Sequence, residues 1–226
     1  MAKSTIVPAT VMTEIADKLN DPSMVTWTEA NLLTYLNDAL YLIQSLRPDA
    51  FGVTKVVTLA AGTKQALPDA DTVLLDVVRN MGSDGLTPGF PITPIMRSDM
   101  DTINRSWHKQ TGQAAIDHYM YNRQTDPYTY YVTPPVSAAV VVQVEIVTAA
   151  PHTKVTSGNK STALDIEEVY EPAIKEWMLR QAYLKEVSPQ SVQKASGHQQ
   201  TFFQMLDLKK VPDMFVSQTT STSQDK

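Results

Sequence analysis

Residues 26–59 read TWTEANLLTYLNDALYLIQSLRPDAFGVTKVVTL, and within this stretch the hydrophobic period changes from helical to extended. Leu32, Leu33, Leu36, Leu40 and Ile43 fall on one face of a helix. Thr26 stands three residues before Glu29, the spacing of a capping box ahead of an apolar run. Pro48 disfavours helical backbone in the residue before it, so the helix should end near Arg47. From Val53 to Leu59 the chain turns β-branched and strand-like. A chain that leaves a long amphipathic helix and enters a β region so abruptly predicts a composite fold.

Working outward, Val11, Ile15 and Leu19 predict a shorter amphipathic helix after Pro8, stopped by Pro22. Downstream of Leu59, Ala61 to Thr63 reads as a turn and Lys64 to Leu67 as the returning strand. Val73 to Arg79, Tyr128 to Val132 and Ala139 to Val147 are further β-rich runs, the second ended by Pro134 and Pro135. Gly82 to Gly85 and Pro88-Gly89 are turn clusters, and Asp99 to Asn104 has the character of a helical turn. Five to seven antiparallel strands in a sandwich or small barrel account for this region.

Helical periodicity returns after the flexible stretch Ser157 to Ser161. Asp165 is placed to cap a third helix, with Pro172 either bending it or shifting its start. Val169, Ala173, Trp177 and Arg180 to Tyr183 carry that helix forward. Ser188-Pro189 has the form of a helix start, followed by the apolar side of Val192, Ala195, Phe202, Phe203, Met205 and Leu206. The predicted architecture is α+β: a discontinuous four-helix bundle (1–52 and 155–207) with an inserted antiparallel β-sandwich or barrel domain (53–154). Residues 208–226 form a docking segment and tail; the last ten, SQTTSTSQDK, are polar and expected to be mobile in isolation.

The chain has 226 residues, 42% hydrophobic and 19% charged. Length and apolar content suffice for a substantial core, and the charged fraction lies below the usual ~25%. Neutral polar residues fill that gap, as they often do on surfaces that a partner buries. No apolar run is long enough for a membrane span, and the N-terminus has no charged-then-apolar pattern of a secretory signal. With no cysteine, disulfides, thiolate metal sites and cysteine nucleophiles are excluded. The net charge of −5 is dispersed, and no segment is basic, which argues against tight binding of a phosphate backbone.

No residue pattern predicts a catalytic, cofactor or metal site. His108, His118, His152 and His198 make no paired-ligand spacing. The pairs Asp69/Asp71 and Asp99/Asp101 lie in turn-like contexts, where solvated carboxylates are the ordinary reading. Phosphate-loop, dinucleotide and nucleophile-elbow motifs are absent. Tyr119, Tyr121, Tyr128, Tyr130 and Tyr131 cluster, with Tyr128 and Tyr130 expected on one strand face and Tyr131 on the other. Cross-strand packing or a protein interface explains them better than a stacking platform, because few basic residues accompany them. Phe202, Phe203, Met205, Leu206, Leu208, Met214 and Phe215 are the candidate partner interface, with Pro212 expected to break the helix among them. Such a run either docks on a partner or folds back on its own bundle.

Five strings, in order, resemble the head-to-tail adaptor (connector) proteins of podovirus-like tailed bacteriophages. They are WTEANLLTYLND (27–38) continuing to LRPDAF (46–51), LAAGTKQALP (59–68), and LLDVVRNMG (74–82) followed by Asp84-Gly85. Trp107-His108 with Asp126-Pro127 and Pro134-Pro135 comes next, and the helix Tyr170 to Tyr183 is last. The likeness spans about residues 24–207 and leaves both ends unmatched. It implies a homo-oligomeric ring, typically of twelve copies, below the portal protein. Such a ring extends the DNA channel and gives tail nozzle, tubular or fibre proteins a platform. The implied role is that of a virion protein made in the host cytoplasm, with no catalysis, no cofactor, no membrane and no specific grip on DNA. The other reading of the β region is a binding module of the tail, for fibre attachment or host glycans.

Overall fold

The computed structural model describes residues 5–68 and 73–221, with side chains as far as Asp207. The chain forms two compact units, one of residues up to Ala50 together with those from His152 onward, the other Phe51–Pro151. Among the described residues there are five α-helices and two four-stranded sheets, an α+β composition.

The first unit is helical. Helix α1 (Pro8–Lys18) opens with proline in its first turn, where the missing N–H costs nothing, and buries Val11, Met12, Ile15 and Ala16. Helix α2 (Glu29–Leu46) buries Leu32, Leu36, Leu40 and Ile43, the stripe set by its period, and Leu33 stays half-buried. Its cap is Thr28, not Thr26: the Thr28 hydroxyl accepts from the Asn31 N–H at 3.4 Å. The Thr26 N–H instead donates to the Asp21 carboxylate, which also accepts from Val25 and Trp27, and this holds residues 25–27 outside the helix. The buried Trp27 donates its indole N–H to the Ala182 carbonyl at 3.2 Å.

The third α-helix of this unit, far in sequence from the first pair, does not start at Asp165. A 3-10 turn (Glu168–Tyr170) intervenes, and the next helix of the unit runs Glu171–Lys185 with Pro172 in its first turn, the position proline tolerates. It buries Ala173, Ile174, Met178, Leu179 and Ala182. The final helix spans Pro189–Ser221. Ser188 and Ser191 cap it reciprocally, each hydroxyl accepting the other's N–H at 3.0 Å. This helix passes through Pro212 instead of stopping there. Proline removes one helical hydrogen bond and costs roughly 3 kcal/mol, which a helix already propagating on both sides can absorb as a kink. Residues 217–221 of the expected tail belong to this helix, and 222–226 lie outside the described residues.

A buried side-chain amide closes the helical unit across the insertion. The Asn37 amide donates to the carbonyl of Val155 at 2.9 Å and accepts from its N–H at 2.8 Å. Arg47, also buried, forks onto Asp49 at 2.6 and 3.0 Å and reaches the Leu206 carbonyl at 3.3 Å.

The second unit holds the strands β1 (Gly52–Thr58), β2 (Gly62–Ala66), β3 (Val73–Met81), β4 (Pro88–Pro91) and β5 (Thr93–Pro94). Helix α3 (Arg97–Ile103) follows, then β6 (His118–Met120), β7 (Thr129–Val136) and β8 (Gln143–Ala149). In chain order the helices Glu171–Lys185 and Pro189–Ser221 are therefore α4 and α5. One sheet has the order β1-β8-β3-β4 and is antiparallel throughout; the other is β2-β7-β6-β5, with only β5 and β6 parallel. Both sheets end on open edges, so the unit is not a closed barrel. The strand number exceeds expectation: Pro88-Gly89, turn-like in composition, opens β4, which pairs with β3 as an edge strand where proline is acceptable, and the short β5 and β6 add two more.

Both sheets feed one apolar core, with Val77, Val144 and Ile146 from the first and Tyr130, Val132 and Val136 from the second. Strand β7 continues through Pro134 and Pro135, where it was expected to end. Its register with β2 jumps between Tyr131 and Val136, so the two residues that lack an N–H occupy a bulge that asks for no donor toward β2. The Thr133–Pro134 peptide is cis. Two further buried amides repeat the Asn37 arrangement. Asn80 pairs with both backbone groups of Ile116, at 2.7 and 2.8 Å, and Gln65 with both of Ala60, each at 2.8 Å.

Candidate interaction surfaces

The candidate C-terminal interface divides by burial. Phe202 and Leu206 are buried in their own helical unit, where Phe202 packs on Trp177 at 5.0 Å between ring centroids. Phe203 is 37% exposed and Met205 half-buried. Leu208, Met214 and Phe215 have side chains outside the described residues. On the α4 side of this hairpin, Arg180 lies over the Trp177 ring at 4.4 Å, and His198 meets Glu176 at 2.7 Å while stacking on Tyr183. Lys175 bridges Glu14 of α1 and Glu171. Burial opposes its charge, but the two carboxylates prevail and hold its pKa above the ordinary value.

The four histidines are dispersed. His108 stacks on Trp107, His118 lies 2.6 Å from the Thr93 hydroxyl, His152 packs edge-on to Tyr41, and His198 serves Glu176. Among the described residues no three histidine or carboxylate side chains converge as a metal site would need. Asp101 accepts from the indole N–H of the fully buried Trp107 at 2.8 Å, a structural task, and Asp99 sits on the exposed surface of α3. Asp69 and Asp71 lie outside the described residues. No described helix is long and apolar enough to cross a membrane.

The tyrosines do not share faces as the alternation predicts. Tyr130 is buried, and burial pushes its phenol well above the usual pKa. Tyr128 precedes the strand and is exposed. Tyr119 donates to Asp76 at 2.9 Å, and burial together with that carboxylate raises its pKa. Tyr131 packs against Trp107 and His108, with Arg97 over its ring at 5.0 Å. Apart from Tyr128 these rings are held by packing and hydrogen bonds within the β unit.

The structure adds two apolar surfaces that periodicity did not nominate. In the β unit, Leu86 and Phe90 are each 82% exposed, and Met96 and Ile103 more than 70%. Leu86 rides on a rigid turn. The Asp84 carboxylate accepts from the N–H of Leu86 and Thr87 and from the Thr87 hydroxyl, at 2.7–3.0 Å, and these bonds lower its pKa to about 2. Gly85 takes a φ of +68°, which a side chain would resist. Met96 borders a cleft of about 970 Å3 that is lined also by Leu75, Pro94, Tyr119, Tyr121 and Tyr131.

In the helical unit, the loop after α1 meets the C-terminal end of α4, just ahead of the loop that follows α4, as the Trp27–Ala182 bond and a 2.5 Å contact from Lys185 to the Thr26 carbonyl show. Those loops contain Asn20, Met24 and Val187, the non-glycine residues with left-handed φ among the described ones, and the exposed Val25 and Val187. A β-branched residue at φ +51° is strained, and strain of this kind collects where a surface has a task. A sequence signal existed only for Leu86 and Phe90, as large apolar residues stranded among glycine, proline and threonine.

A comparison with curated proteins finds no match. The model of the SU10 adaptor protein family matches residues 8–223, nearly the whole chain, in both units. With a family match of that extent, the chain belongs to the SU10 adaptor family of phage head-to-tail adaptors.

Proposed function

We propose that about twelve copies of this chain form a ring between the portal protein and the tail, continuing the DNA channel and carrying tail nozzle, tubular or fibre proteins. The family match over residues 8–223 carries this reading. In it, α1, α2, α4 and α5 act as one four-helix bundle that gives the ring its stiffness, and the two sheets pack face to face as a sandwich. Residues 208–226, with Phe203 and Met205, dock on the portal. Phe202 and Leu206 anchor that segment from inside the helical unit, where they are buried.

The role calls for no catalysis. It calls for lateral surfaces that exclude water and a lumen that lets DNA slide. A net charge of −5 suits the second need, since like charge gives phosphates no site. The β unit reads less well as a glycan-binding module, because Tyr119 and Tyr130 are buried and only Tyr128 of the cluster is well exposed.

Electron microscopy of the full-length protein mixed with portal complexes tests the proposal. A symmetric ring on the portal is expected. Monomers that leave the portal bare, with no copies in purified virions, would refute it.

A further inference from the structure

We propose that Leu86, on its rigid turn, and Phe90, on the adjoining edge strand β4, seat together from one copy of this chain in the cleft beside Met96 on the next copy. The β unit then supplies both halves of a head-to-tail contact. This inference rests on the ring reading above.

A closed ring needs heterologous contacts, in which two different patches of one subunit meet their counterparts on its two neighbours. The β unit carries such a pair. One patch stands out in solvent: Leu86 on the turn braced by Asp84 and Phe90 on the adjoining strand β4, each 82% exposed. The bracing means little loop entropy is lost on docking. The other patch is concave, a cleft of about 970 Å3 with Leu75, Met96, Tyr119, Tyr121 and Tyr131 in its walls. It is roomy enough to admit two large side chains, and its apolar stretch gives them a surface to cover, beside polar groups such as Arg97 and Asn122.

The charges also match. Asp84 is the sole charge between Gly82 and Pro91. In the cleft wall, Asp126 has a partner in Thr129 and lies 3.9 Å from Lys64, which leaves Arg97 as the wall's cation. The Arg97 guanidinium lies over Tyr131 and is paired with Asp101 at 3.7 Å; with five donors, it can take a second carboxylate beside that one.

Area argues for a second copy within a ring over a free dimer. Large side chains bring roughly 150 Å2 each, so Leu86 and Phe90 offer about 300 Å2 to the cleft. A standard interface takes about 800 Å2 from each partner. The contact is therefore too small to hold a dimer in dilute solution and sufficient as one part of a larger lateral interface.

The chain has no cysteine, which allows a direct test with the full-length protein. Leu86→Cys and Met96→Cys are made as separate variants, mixed in equal amounts, assembled on portal complexes and treated with a short bis-maleimide. A covalent dimer is expected from the mixture on the portal, and none from either variant alone or from the dilute mixture. Rings visible by electron microscopy in the same sample without a covalent dimer would overturn the contact and leave the ring reading intact. No ring on the portal would overturn both. As a second arm, Leu86→Asp is expected to lower portal-bound ring occupancy about tenfold with an unchanged thermal midpoint, because the side chain is exposed in the monomer. Unchanged occupancy would also overturn the contact.

Discussion

The side chain of Asn37 pairs with both backbone groups of Val155, 118 residues away, as a neighbouring strand would. Asn37 lies mid-helix in α2, and Val155 lies just beyond the inserted β unit. The amide is buried and also donates to the Leu33 carbonyl at 2.7 Å. One polar side chain thus ties the chain's return from the insertion to the helix that precedes it.

Replacing Asn37 with Ala leaves the Val155 N–H and carbonyl buried without partners. Each such group costs about 1–3 kcal/mol, so Asn37→Ala should destabilise the helical unit by about 2–5 kcal/mol. Urea unfolding followed by tryptophan fluorescence reads this directly, since Trp27 and Trp177 both lie in that unit. A loss under 1 kcal/mol would mean that the pairing is incidental.

Arg47 tests whether a planar fork is needed. Arg47→Lys keeps the charge but cannot hold both Asp49 oxygens and the Leu206 carbonyl. A loss of about 1–3 kcal/mol is expected by chemical denaturation. Asp49→Asn should cost less, because the Asp49 side chain is half exposed and water can replace it.

Phe202 and Phe203 are neighbours with opposite exposure, the first buried and the second 37% exposed. Phe202→Ala empties a fully buried site and should cost about 3–5 kcal/mol in folding stability. Phe203→Ser should change stability by less than about 1 kcal/mol and reduce attachment to portal-filled heads. Deleting residues 208–226 should likewise prevent attachment, measured by counting the protein in purified particles. Normal attachment would remove the docking role of this segment.

The Asp84 turn makes a prediction about acid. Its folded pKa, about 2, lies below the ordinary carboxylate value of 3.8, because backbone and hydroxyl donors favour the charged form. The bracing is therefore fully present above pH 3.8 and is lost as pH falls through about 2. A carboxyl titration by NMR should place Asp84 at about 2, below the ordinary carboxylate value of 3.8. At neutral pH, Asp84→Asn should speed hydrogen exchange at the Leu86 and Thr87 amides severalfold. Unchanged exchange would mean that the turn is held by other bonds.

Local chemistry carried much of the fold. The period of Leu32, Leu36, Leu40 and Ile43 placed α2, Pro8 and Ser188-Pro189 marked helix starts, and β-branched runs marked β1 and β3. What the sequence reading missed depends on partners distant in the chain. Thr26 has the better capping spacing, but Asp21 claims its N–H, so Thr28 caps instead. Pro134 and Pro135 look like a strand end, yet the bulge against β2 removes the need for their donors. Pro212 reads as a stop, yet α5 runs through it. The Asn37, Gln65 and Asn80 pairings leave no periodic trace, because each is a single polar residue whose partner is set by topology. The C-terminal interface was nominated from apolar content, which cannot separate Phe202, turned into its own unit, from Phe203. Turn composition conceals the exposed apolar surface of Leu86, Phe90, Met96 and Ile103.

We propose a symmetric ring of this adaptor on the portal. Cryo-electron microscopy of purified particles at the head-to-tail junction tests it most directly. The account predicts about twelve copies around the DNA channel, with α2 and α4 among the lateral contacts and the Leu86 turn against a neighbour's Met96 cleft. Copies found only at a fibre or tail tip, or no copies at the junction, would contradict it.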